Sequence, residues 1–130
     1  MSLFSQPEII QLIRNGMPSE TGKDHFPVAK LFLPGTGSIW LLSEIDQFET
    51  TKAMGLFDNG RGLIKYGVLD LNIVKKLISD GYPIMRDSYF VGKYPLSVYA
   101  NVAFALRFIT EVDAILEKNN PYKPPGPSPH

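Results

Sequence analysis

Two turn signals set inside one long run of alternating apolar sequence constrain this chain most. Pro34-Gly35-Thr36-Gly37 separates the arms KLFL and SIWLLSEI, and Asn59-Gly60-Arg61-Gly62 separates KAMGLFD from LIKYGVL. Proline presets φ and glycine supplies the positive φ of tight turns, so each signal folds its two arms back on one another. Four strands are expected in succession, over 28–33, 38–45, 52–58 and 63–69, joined as an antiparallel meander. In the first arm Ala29, Leu31 and Leu33 share one face, and Val28, Lys30 and Phe32 the other. In the second, Ile39, Leu41, Ser43 and Ile45 alternate with Trp40, Leu42, Glu44 and Asp46. Both faces of the first arm are largely apolar, which marks a central strand. Gly67, inside the fourth strand, signals a bulge or a close backbone approach.

Helical signals flank this sheet. Ser5 is placed to cap a helix running to Asn15, with Pro7 in its first turn, Glu8 at its positive end, an apolar stripe of Ile9, Ile10, Leu12 and Ile13, and Gly16 as its stop. Asp70 caps a second helix, Leu71 to Ser79, that ends at Gly81. Pro83 to Phe90 reads as an extended fifth strand at an edge. From Pro95 to about Lys118 the spacing predicts the longest helix. Val98, Val102, Ala105, Ile109, Val112 and Leu116 form its core face, and Phe104, Phe108 and Ile115 a second apolar line. The expectation is an α+β domain over 1–118. An antiparallel sheet of four to five strands carries a short N-terminal helix, a middle helix and a long C-terminal helix. Residues 119–130 form a Pro-rich tail with PxxP spacings at Pro121, Pro124 and Pro127, expected to be flexible.

Composition narrows the functional classes. A chain of 130 residues supports one core. Thirteen basic residues balance thirteen acidic ones, which disfavours nucleic-acid binding by bulk charge. No cysteine is present, so thiol catalysis and cysteine-based zinc sites are excluded, and a reducing cytoplasm is the expected location. No apolar run is long enough for a membrane span, and the first residues lack the pattern of a signal peptide.

Three carboxylates stand at or near strand ends: Glu44, Asp58 and Asp87. If those ends converged, their oxygens would suit a divalent cation and a hydrolase or nuclease. Each also reads as a solvated or turn-capping residue. His25 and His130 lack metal-ligand spacing, although His25 is a residue type suited to act as an acid or base. The segment holding Arg86, Asp87, Tyr89 and Phe90 offers the residue types of interface anchors. Phe104 and Phe108 offer a second surface, suited to a partner or to a homodimer through the C-terminal helix. Lys52, Arg61, Lys65, Lys75, Lys76 and Arg86, with Tyr66 and Trp40, would suit single-stranded nucleic acid if they shared a face. Trp40 itself reads as core, with ligand stacking as the alternative. No cofactor motif is present.

Several stretches taken together resemble a known family. DHFPVAKLF at 24–32, WLLSEID at 40–46, GLFDNGRG and YGVLDL within 55–71, and RDSYF and PLSVYA within 86–100 occur in that order. They resemble a family of small uncharacterised bacterial proteins encoded on plasmids and integrative elements, classed as a domain of unknown function. The resemblance runs from about Ile9 to Ile109. It implies a setting of mobile DNA and a bacterial cytoplasm, and carries no catalytic residues. NGRGLIKYG departs from the more acidic approach to the tyrosine expected of relatives. The function expected on these grounds is a non-enzymatic accessory factor of a mobile genetic element. It would bind a host or element protein, with counter-defence of the anti-restriction or anti-CRISPR type as its context. A metal-dependent hydrolase using Glu44, Asp58 and Asp87, and a single-stranded nucleic-acid binder, are the alternatives.

Overall fold

The computed structural model describes residues 3–122. The element order is α1 (Gln6–Asn15), β1 (Ala29–Leu33), β2 (Ser38–Ile45), β3 (Lys52–Asp58), β4 (Ile64–Asp70), α2 (Leu71–Ser79), β5 (Met85–Arg86), α3 (Leu96–Leu106) and α4 (Asp113–Lys118). The strands form one antiparallel sheet in the order β4-β3-β2-β1-β5. This is the α+β architecture the turn signals imply. The caps form as the sequence predicts: Ser5 and Glu8 close a capping box on α1, and the Asp70 side chain accepts from Asn72 N–H at the start of α2.

Helices cover both faces of the sheet. Leu41, Leu56 and Ile64 pack on one side with Tyr94, Tyr99, Val102 and Leu116. Leu31, Trp40, Leu42, Ile45 and Leu69 pack on the other with Leu12 and Val74. The meander lies between α3 with α4 and α1 with α2. Both faces of β1 and β2 therefore had to be apolar.

One expected element is corrected. The helix predicted from Pro95 to Lys118 is two helices, α3 and α4. Arg107 ends the first in a left-handed conformation, φ 67°. The Ile109 N–H then turns to Asp58 Oδ2 at 2.9 Å instead of a carbonyl one turn back. A charge-assisted bond from a buried carboxylate outweighs the single helical bond it replaces. Val98, Val102, Ile109 and Leu116 are still buried, but Ala105 is exposed in the last turn of α3, and Val112 is exposed because the break rotates the stripe beyond it. The Pro-rich tail from residue 123 onward lies outside the described residues.

Candidate functional site

The site follows from an irregularity in β2. Leu42 pairs with Gly55, yet Glu44 pairs with Met54, so Ser43 is an extra residue. A bulge of one residue inverts the alternation beyond it. Ile45 consequently joins the face of Trp40 and Leu42, and Glu44 crosses to the face of Leu41 and Leu56, opposite to what strict alternation predicts. The bulge is held from α1. Asn15, itself buried, donates its Nδ2–H to the Ser43 carbonyl at 2.9 Å. Gly16 lies so close to β2 that a Cβ there would stand 1.8 Å from the Ile45 carbonyl oxygen. The helix end therefore requires glycine for this close approach, since its φ of −89° is open to any residue.

Glu44 opens into a cleft of about 340 Å³. Met54, Tyr66, Val68 and Leu96 provide its apolar walls, and residues 21–25 form its rim. That rim is pinned to α3. The His25 carbonyl accepts from Leu96 N–H at 2.9 Å, and Asp24 accepts from the backbone N–H and hydroxyl of Ser97. Asp24 thereby caps α3, because the N-cap residue, Pro95, makes no side-chain bond of its own. His25 Nε2 lies 2.7 Å from the Glu20 carbonyl oxygen. Its ring is engaged in holding the loop.

The electrostatics of the cleft centre on Glu44, which is only 7% exposed. The Thr21 hydroxyl donates to its Oε2 at 2.6 Å, and Gly22 N–H to its Oε1 at 3.4 Å. Among the described residues it has no ion-pair partner. The two lysines of the cleft are spent elsewhere: Lys23 on Glu20, and Lys52 on Asp70 at 3.2 Å. Asp46 lies at the margin, where the N–H groups of Glu49 and Phe48 hold its carboxyl below the usual range. Burial, then the charge of Asp24 and the neighbouring Tyr122, raises the Tyr66 hydroxyl above its ordinary value. Tyr66 is therefore a neutral hydrogen-bond donor across the physiological range. A carboxylate can accept about four hydrogen bonds. Two donors leave Glu44 with acceptor capacity facing the cavity.

The other nominated residues are dispersed. Glu44 and Asp58 do not converge, because Asp58 pairs with Ile39 while Glu44 pairs with Met54. Four residues of β3, roughly 13 Å at about 3.3 Å each, separate those two ends of the ladder. Asp58 is 2% exposed and accepts from Gly60 N–H at 2.7 Å as well as from Ile109 N–H. Asp87 lies beside β1, 3.4 Å from Lys30 Nζ, and accepts from Tyr89 N–H. Among the described residues no group of three or more His, Asp or Glu is placed to hold a metal.

Trp40 is buried and stacks on Phe57 with centroids 5.0 Å apart, so its ring is not offered to a ligand. Arg86 pairs with Glu8 at 2.7 Å. Tyr89 is 92% exposed, and Phe104 and Phe108 are also exposed. The basic residues do not form one cluster: Arg86 is on β5 and Lys65 on β4, the two opposite edges of the sheet.

Sequence reasoning named Glu44 but missed Thr21, Gly22, Met54 and Val68. Thr21 and Gly22 sit in a polar loop with no local pattern, and Val68 reads as an ordinary strand residue. The adjacent stretches DHF and SEI were legible as motifs, but their proximity was not.

No helix among the described residues is long and apolar enough to cross a membrane. No curated protein and no solved structure matches the chain. A family profile does match, over residues 3–110, and those limits take in α1, the whole sheet, the cleft and α3. By that match the chain belongs to the family described as protein of unknown function (DUF2958).

Proposed function

We propose that this chain is a non-enzymatic binding protein that takes a basic side chain of a partner protein into the cleft at Glu44. The observation that carries this reading is a buried carboxylate, open to a cavity, with no ion-pair partner among the described residues, the cleft's Lys23 and Lys52 being paired with Glu20 and Asp70. A desolvated negative charge of this kind is stabilised when a ligand supplies the missing cation. The walls specify more. Met54, Val68 and Leu96 suit the methylene stem of an arginine or lysine, and the Tyr66 ring suits the flat face of a guanidinium. The titratable groups of the rim support binding over catalysis, since Asp24 caps α3 and the His25 ring bonds to the Glu20 carbonyl. The setting we propose is that of an accessory factor of a mobile genetic element acting on a host protein in counter-defence. It rests on the resemblance of the motifs alone.

The test is an amide-resolved NMR titration with N-acetyl-arginine amide, using N-acetyl-citrulline amide as the uncharged control. Shifts at Thr21, Gly22 and Val68 are expected with the arginine compound, weakened at least tenfold in Glu44→Gln. Equal shifts with both compounds, or none in the cleft, would overturn the reading.

A further inference from the structure

The two edges of the sheet are unlike. β5 is two residues long and is preceded by Pro83, which blunts it. β4 is seven residues long, contains no proline, and runs in continuous register with β3. Its hydrogen-bonding phase can be read from the bonds that bracket it. Asn59 N–H donates to the Leu63 carbonyl, and Leu71 N–H to the Thr51 carbonyl. In this register 59 faces 63 and 51 faces 71, so odd-numbered residues of β4 bond inward to β3. The N–H and C=O groups of Ile64, Tyr66, Val68 and Asp70 therefore point outward from the edge. Among the described residues no strand pairs with them, and only the Asp70 carbonyl, as the N-cap of α2, is engaged in its helix. Tyr66 and Val68 are 39% and 63% exposed.

We propose that β4 pairs with β4 of a second copy, antiparallel about a two-fold axis at Gly67, joining two sheets into one of ten strands. Four features select this partner and this register. First, the outward-bonding residues lie symmetrically about Gly67, so Tyr66 meets the partner's Val68 and Ile64 meets the partner's Asp70. Second, Gly67 meets itself in the close, non-hydrogen-bonded kind of pair, where Cα atoms stand about 4.5 Å apart and side chains crowd most. The φ of Gly67, +148°, itself favours glycine, and a Cβ built there finds nothing within 4 Å, so the position is open to an approaching backbone. A second backbone at the axis is a neighbour of the kind an interior strand glycine accommodates. Third, the Tyr66–Val68 pairs are aromatic on β-branched, a favourable cross-strand combination. Fourth, charge fits: Lys65 faces the partner's Leu69, and Asp70 the partner's Ile64, so no charge opposes its own kind. An axis at Lys65 would set lysine against lysine. The zero formal net charge adds no general repulsion between copies. Because Tyr66 and Val68 line the cleft, the partner's Tyr66 extends its wall beside Val68.

Sedimentation equilibrium across the micromolar range should give twice the chain mass. Hydrogen exchange should show the Tyr66 and Val68 amides slow in the dimer and fast on dilution, with Gly67 and Leu69 protected throughout. Tyr66→Lys/Val68→Lys, which opposes lysine to lysine, should be a folded monomer. Tyr66→Lys/Val68→Glu, which opposes unlike charges, should remain dimeric. Several results would each overturn the proposal. They are a monomer at every concentration, a dimer whose Tyr66 and Val68 amides stay fast, protection of those amides in the dilute monomer, and identical behaviour of the two folded double variants.

Discussion

Glu44 and Asp58 are both buried carboxylates, one near each end of the β2–β3 ladder, and they do opposite work. Asp58 accepts from two backbone N–H groups, one in its own turn and one 51 residues away at Ile109. Both bonds end on rigid backbone, and one forces the break between α3 and α4. Glu44 is held by a loop hydroxyl and a longer backbone contact, and its remaining capacity faces a cavity. A buried charge surrounded by backbone donors is a structural tie. The same charge, incompletely satisfied at the wall of a cleft, is a receptor for a donor that arrives from outside.

Substitutions should separate the two roles. Asp58→Ala should have the largest effect, a loss of about 3 kcal/mol in urea unfolding, since it strands the buried Ile109 N–H and frees the turn at Gly60. Asp58→Asn, which keeps an acceptor, should lose roughly half as much. If Asp58→Ala unfolds no more readily than wild type, the tie has been misread.

Asn15→Ala should come next, at about 1–2 kcal/mol, because it leaves the Ser43 carbonyl of the bulge unsatisfied. The same variant should weaken binding of an arginine probe, since the bulge orients Glu44. Loss of stability with unchanged binding would detach the bulge from the site. Glu44→Gln should change stability by less than about 1 kcal/mol, as the amide oxygen can accept from Gly22 N–H while the amide nitrogen donates to the Thr21 hydroxyl. A stability loss as large as that of Asp58→Ala would make Glu44 a second structural tie and remove the contrast.

The smallest effect should lie outside both carboxylates. Asp70 accepts from the Asn72 N–H and pairs with Lys52, and these hold its carboxyl below the usual range. Its folded value is depressed. Its contribution is therefore present above the unfolded value of about 4 and lost as pH falls through the folded one. Asp70→Asn should flatten the acid limb of the stability profile below about pH 4 and leave neutral pH nearly unchanged. It should also release Lys52 at the cleft margin, where a measurable drop in arginine-probe affinity would show that a freed cation competes for Glu44.

Most of the fold was legible because its determinants are local. The glycine turns at 34–37 and 59–62, the Ser5 capping box and the Asp70 cap each act within about four residues. The candidate site was less legible. Glu44 was visible as a carboxylate near a strand end, but its partners were not, since Thr21 lies 23 residues away and Asp24 caps a helix 73 residues away.

What the amino-acid sequence by itself determined was the strand order of the meander, the apolar faces and the start of each capped helix. Alternation, turn chemistry and capping are set by neighbouring residues. Only the tertiary structure decided which face Glu44 occupies and where the last helix breaks. Asn15 stabilises one extra residue in β2, and Asp58 draws the Ile109 N–H out of the helical ladder. In both places a long-range bond to the backbone overrides a local periodicity, because a buried backbone group must be satisfied wherever its partner lies in the chain.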